Sequence, residues 1–151
     1  MDDRVTDVAA AVESAVESLV SVLSTSDAQS PAVPPAQLRV LTIISATRHT
    51  NMSRLAEALD VVPSSASRLC DRLEATGLLR RVPDPRDRRE VRLMITPAAR
   101  RLLDELRERR RAALAVVLER MPDDDRQDLL RALEAFAAAA DPDHGEALRL
   151  A

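Results

Sequence analysis

Between Asn51 and Leu79 the chain reads NMSRLAEALDVVPSSASRLCDRLEATGLL, and no other stretch limits the fold as tightly. Leu55, Ala56 and Leu59 recur at helical spacing, and Val61, Val62 and Pro63 stop that short helix. Pro63 suits the first turn of a second helix, where a missing N–H loses no bond. Ala66, Leu69, Cys70 and Leu73 form the inward face of this helix, and Gly77 supplies its stop. Two helices joined by a turn of a few residues predict a helix-turn-helix.

The next residues extend the motif. Leu78 to Val82 and the alternation Val91, Leu93, Ile95 predict two short strands, with PDPRDR as the loop between them. A helix-turn-helix with a hairpin after it is a winged helix. Thr96 and Pro97 read as an N-cap and first-turn pair opening a long helix to about Met121, which Pro122 breaks. A last helix carries Leu129, Leu133, Phe136 and Ala140 on one face, with Asp123, Asp124 and Asp125 at its positive end. Upstream, Val5, Val8, Val12, Val16, Leu19, Val20 and Leu23 make an apolar stripe on a first helix. STSDAQSPAVPPAQ then reads as a linker, and AQLRVLTIISATR as a largely buried helix.

The fold class is therefore mainly α: a winged helix-turn-helix with a two-stranded β-hairpin wing and N- and C-terminal dimerisation helices. Its expected divisions are an N-terminal helix and linker (1–34), the winged helix (35–101), C-terminal helices (102–140) and a tail (141–151). With one Phe, no Tyr and no Trp, the core must be aliphatic. No apolar run is long enough for a membrane span, and the start of the chain does not resemble a secretory signal. The lone Cys70 cannot form an internal disulfide and so does not constrain the redox compartment, and the cytoplasm is the default expectation.

Charge is unevenly placed. The net formal charge is −3, yet residues 53–101 hold eleven Arg against seven acids. Six of those arginines fall between Arg80 and Arg92, on and around the hairpin loop. Acidic ends flank a basic middle, which orients a polyanion toward the winged helix.

These residues resemble the MarR family of bacterial transcription regulators. PAQLRVL at 35–41 looks like the entry to that family's second helix. LAEALDVVPSSASRLCDRLEATGLLRR is similar to its helix-turn-helix, and DPRDRREVRLMITPAARRLL to its wing and fifth helix. Ala99 stands where such chains often have Gly, and the Pro-rich linker before residue 35 departs from the pattern. The resemblance implies a homodimer built from the first, fifth and sixth helices, bound to double-stranded DNA at a near-palindromic operator.

A helix in the major groove reads bases with polar side chains near its N-terminus. Here those are Ser64, Ser65, Ser67, Arg68 and Arg72, and the resemblance implies that Ser67 and Arg68 read bases. Arg86, Arg88 and Arg89 at the wing tip suit a narrow minor groove. The family's Asp-x-Arg wing pattern maps to Asp87 and Arg89, the acid bracing the arginine, while Arg80, Arg81 and Arg92 are expected to face phosphates. The plainer reading of Arg68 and Arg72 is a solvated surface paired with Asp71 and Glu74. By resemblance, a small aromatic or phenolic effector is a further expectation, with Arg39, Arg48 or His49 as polar anchors.

Nothing in the chain suggests a catalytic constellation, a metal site or a cofactor. RERRR at 107–111 reads as a salt-bridged helix face. Two rival functions stay open: a winged helix that binds a protein partner instead of DNA, and an oxidant sensor acting through Cys70. Cys70 on an inward face is expected to pack as a small apolar residue.

Overall fold

The computed structural model describes residues 3–27, 33–47 and 49–140. The tail 141–151, the middle of the expected linker and Arg48 lie outside the described residues. Eight elements run in chain order: α1 (Asp3–Asp27), α2 (Pro35–Ala46), α3 (Met52–Leu59), α4 (Pro63–Ala75), β1 (Leu79–Pro83), β2 (Val91–Ile95), α5 (Pro97–Leu118) and α6 (Asp123–Ala140). The chain divides into two compact units, residues 1–111 and 112–151.

Local chemistry sets most boundaries. Asn51 caps α3, its side-chain oxygen accepting the Arg54 N–H at 3.0 Å. Asp60 then takes a left-handed conformation (φ 55°), its N–H donating to Glu57 O and that of Val61 to Ala56 O. Pro63 opens α4. At the far end Gly77 (φ 73°) donates to Glu74 O and Leu78 to Leu73 O, the paired bonds of a left-handed helix stop. Thr96 caps α5 by accepting the Ala99 N–H, and its hydroxyl donates to Gly77 O at 2.7 Å. That second bond ties the start of α5 to the end of α4.

Several boundaries differ from the sequence expectation, α2 ending at Ala46 and β1 at Pro83 among them. α1 continues to Asp27 because Ser and Thr at 24–26 lower helix propensity without breaking a helix. α5 ends at Leu118 rather than Met121, closing through tight turns from Arg120 to Val117 O and Met121 to Leu118 O. The first strand begins at Leu79, since Leu78 is still engaged in the helix stop.

In the first unit the core is wholly aliphatic apart from Cys70. Val40, Leu41 and Ile44 of α2 meet Leu55, Ala56 and Leu59 of α3, Ala66, Cys70 and Leu73 of α4, Leu79 and Leu93 of the hairpin, and Ala99 and Leu103 of α5. α2 buries only one face, with Arg39, Thr42 and Ser45 outside it. β1 and β2 pair antiparallel in the register Leu79↔Ile95 to Pro83↔Val91. Thr50 adds a one-residue bridge to Leu93 on the other edge of β2, accepting the Leu93 N–H at 2.9 Å.

The apolar stripe of α1 is exposed along its length, from Val5 through Val8 (62 %) to Val20. In the second unit α6 buries no residue at all, and Leu130, Leu133 and Phe136 (64 %) face outward. Pairs such as Arg107–Asp104 (2.8 Å) and Arg131–Asp128 lace the polar faces of α5 and α6.

Candidate nucleic-acid interface

Pro63 at the start of α4 has no N–H of its own, Val62 O accepts the N–H groups of Ser65 (3.0 Å) and Ala66 (3.2 Å), and Ser64 beside them is exposed. Ser65 and Ser67 flank the core residue Ala66, Ser65 and Ser67 being half-buried, while Arg68 and Arg72 are exposed. Ser64 and Arg68, four residues apart, therefore share the outer face. Neither Arg68 nor Arg72 forms an ion pair among the described residues.

The acids that were to neutralise them are engaged elsewhere. Arg81 on β1 places Nη2 2.7 Å from Asp71 Oδ1 and Nη1 2.5 Å from Glu74 Oε2. Its backbone N–H also reaches Glu74 Oε1 at 3.4 Å. The hydrogen bond to Asp71, and then that to Glu74, hold the guanidinium proton more tightly than usual against the opposing effect of burial. Arg81 is thus committed to α4, which corrects its expected place against phosphates.

Arg92 is corrected in the same way. Its Nη2 lies 3.2 Å from Asp84 Oδ2, and both side chains are only 18 % exposed. Asp84 Oδ1 in turn accepts the Arg86 N–H at 2.7 Å. That backbone bond first, with Arg92 beside it, holds the Asp84 carboxyl below its usual range despite some desolvation. Of the three strand arginines only Arg80 is exposed.

At the wing tip Asp87 Oδ1 accepts the Arg89 N–H at 2.9 Å, and the Glu90 N–H donates to Asp87 O at 3.0 Å. The Asp-x-Arg pattern is present, but the acid braces the backbone at Arg89 rather than its guanidinium. This is a side-chain turn that fixes the loop. The side chains of Arg86, Arg88 and Arg89 are exposed and make no ion pair among the described residues. Two acid-anchored turns thus present three free guanidinium groups.

Of the expected ligand anchors Arg48 lies outside the described residues, and His49 and Arg39 do not line the same cleft. A cleft of about 450 Å³ opens between the start of α3 and the wing, lined by His49, Arg54, Asp84, Arg86 and Arg92 among others. Arg39 lies on α2 and does not line that cleft. Cys70 is fully enclosed, and burial pushes its thiol up to about 11, with the Arg81 charge opposing the rise. It packs with the core and is protonated at neutral pH, so it lacks the exposed thiolate that peroxide sensing requires. No helix among the described residues is long and apolar enough to cross a membrane.

Comparisons with known proteins agree with this geometry. The MarR family model matches residues 33–91. The HTH-type transcriptional repressor MdtR of Bacillus subtilis is 28% identical over 117 residues, 78% of this chain and 76% of the repressor. Among solved structures, RV1404 from Mycobacterium tuberculosis is 33% identical with a TM-score of 0.81, over 93% of this chain and 96% of its own. The transcriptional repressor CouR, solved on a 23-mer DNA duplex, is 26% identical with a TM-score of 0.59, over 85% of this chain and 89% of its own. A helix-turn-helix with free arginines on its outer face, an arginine-tipped wing and a likeness spanning nearly the full length place this chain in the MarR family of winged-helix transcriptional regulators.

Proposed function

We propose that this protein is a homodimeric, sequence-specific DNA-binding repressor that occludes a promoter at a near-palindromic operator. The observation that carries this reading is the division of the arginines. Arg81 and Arg92 are spent on internal acids, whereas Arg68, Arg72, Arg86, Arg88 and Arg89 stand exposed and unpaired on α4 and the wing. In this reading α4 enters the major groove, where Arg68 has the planar fork for guanine O6 and N7. Ser64, Ser65 and Ser67, with the backbone N–H of Ser64, meet phosphates and base edges. Arg86, Arg88 and Arg89 enter the neighbouring minor groove, with Asp87 holding their loop in shape.

The second copy is inferred from the apolar stripe of α1 and the apolar face of α6, which are exposed in a single chain. A twofold pair would set two recognition helices about 10 bp apart. CouR, solved with a DNA duplex, and MdtR, a repressor by name, support the same reading. A small aromatic or phenolic effector that lowers operator affinity completes it, acting by favouring a spacing of the two helices that fits DNA poorly. With no Tyr or Trp in the chain, its pocket would be aliphatic.

The test is selection of bound fragments from genomic DNA, then anisotropy titration of the selected duplex at several salt concentrations, with sedimentation in parallel. The expected result is a dimer whose affinity falls steeply with salt despite the net charge of −3. A monomer at micromolar concentration, or affinity indifferent to salt, overturns the reading.

A further inference from the structure

We infer that Arg81 is a positioning residue for DNA binding: it draws the Asp71 carboxylate away from Arg68 and so keeps the reading face of α4 cationic. The inference rests on the reading of α4 as the major-groove helix.

Within α4 alone, Arg68 and Asp71 stand three residues apart, so they are neighbours on the helix surface and an internal ion pair is open to them. Such a pair would lay a negative charge beside the arginine best placed to reach a base. The fold prevents it. The Gly77 turn brings β1 back along α4, and Arg81, ten residues beyond Asp71, closes on that carboxylate at 2.7 Å. The guanidinium cannot easily swing away, because Glu74 holds its other terminal nitrogen at 2.5 Å and its own backbone N–H at 3.4 Å. The Arg81 side chain is 27 % exposed against 60 % for Asp71, so the cation is laid over the protein and the acid is the member nearer solvent. Arg68 and Arg72 are left without an ion pair among the described residues.

The role differs from that of a phosphate contact, because Arg81 acts through the charge of another residue. It also ties the wing to the reading helix: Asp71 is neutralised only while β1 lies against α4. Release of that strand would return Asp71 to Arg68 and add an unmasked negative charge at the DNA surface.

A double-mutant cycle with Arg81→Gln and Asp71→Asn, read by anisotropy on the selected duplex, tests this. Arg81→Gln is expected to weaken binding to the selected duplex about tenfold. Asp71→Asn alone leaves Arg81 clasped to Glu74 and is expected to bind within about threefold of wild type, whereas in the Arg81→Gln background it restores most of the loss. A purely mechanical clasp, or direct phosphate contact by Arg81, predicts no such rescue. The inference is overturned if Asp71→Asn has the same effect in both backgrounds, or if Arg81→Gln binds like wild type. Should Arg81→Gln fail to fold by circular dichroism, Arg81→Lys replaces it, since a single ammonium cannot hold both acids and the same rescue is expected. A wild-type protein that binds no duplex overturns the DNA-binding reading itself, and this inference with it.

Discussion

Arg81 and Asp71, ten residues apart, meet at 2.7 Å and join the wing to the helix it accompanies. An exposed ion pair of this kind contributes only about 0.2–1 kcal/mol to folding. Its weight is in the distribution of charge: Asp71 and Glu74, the two acids of α4, are already matched, so Arg68 and Arg72 stay unpaired and available to a polyanion.

Arg68 and Arg89 sit on different elements, and their removal is expected to read out differently. Arg68→Ala should cost about 1–3 kcal/mol on the preferred duplex and much less on random sequence, because a guanine contact is lost. Arg89→Ala should weaken both duplexes and lower the salt slope by about one, with discrimination reduced only where the minor groove is narrow. Competition titrations with matched and random duplexes separate the two. Equal losses on both duplexes for Arg68→Ala would remove base reading from α4.

The wing's shape should depend on pH through Asp84. Its carboxyl is held below the usual range, chiefly by the Arg86 N–H, so the charged form is favoured in the folded state. A depressed acid contributes stability that is present above its unfolded value and lost as pH falls through the folded one. The wing should therefore hold at neutral and mildly acidic pH and loosen only below the ordinary carboxylate range. Asp84→Asn, which keeps an acceptor but loses the charge facing Arg92, should show the looser wing at neutral pH and remove this acid dependence. Amide exchange at Arg86 and Glu90 measures it, and an unchanged profile in the variant would assign the acid response to another group.

Much of this was legible in local sequence. Pro63, Gly77 and the Thr96–Pro97 pair mark boundaries through backbone chemistry that acts within a few residues, and each lies where expected. The alternation Val91, Leu93, Ile95 announced β2, because burying one face of a strand imposes period two. What was not legible depends on docking. Several acids lie near Arg81 and Arg92 in sequence, and only the return of β1 along α4 and the curl of the wing select Asp71, Glu74 and Asp84. Thr50 leaves no trace as a sheet residue, since a one-residue bridge has no periodicity. Asp60 in a left-handed conformation was hidden for a related reason: Asp tolerates that region without demanding it.

Cys70 offers an unusually clean measurement, because the chain contains no Lys and no Tyr. Between about pH 9 and 11 no other side-chain type in it is expected to titrate, arginine remaining charged throughout. The thiol is enclosed by the core and lifted from 9.0 to about 11, mainly by desolvation. A raised thiol contributes stability that is complete below its unfolded value and is lost as pH climbs toward the folded one. Unfolding free energies from denaturant titration should thus be nearly flat to about pH 9 and then fall, by roughly 1 kcal/mol per pH unit at most, one proton being released on unfolding. Cys70→Ala should abolish that fall while costing on the order of 1 kcal/mol at neutral pH for the space left behind. Cys70→Ser should cost more, about 1–3 kcal/mol, through a buried hydroxyl lacking a partner. The same enclosure predicts that peroxide leaves DNA binding unchanged in wild type and in Cys70→Ser alike. Release of DNA by peroxide from wild type alone would show that the thiol opens to solvent and would restore the oxidant-sensor reading.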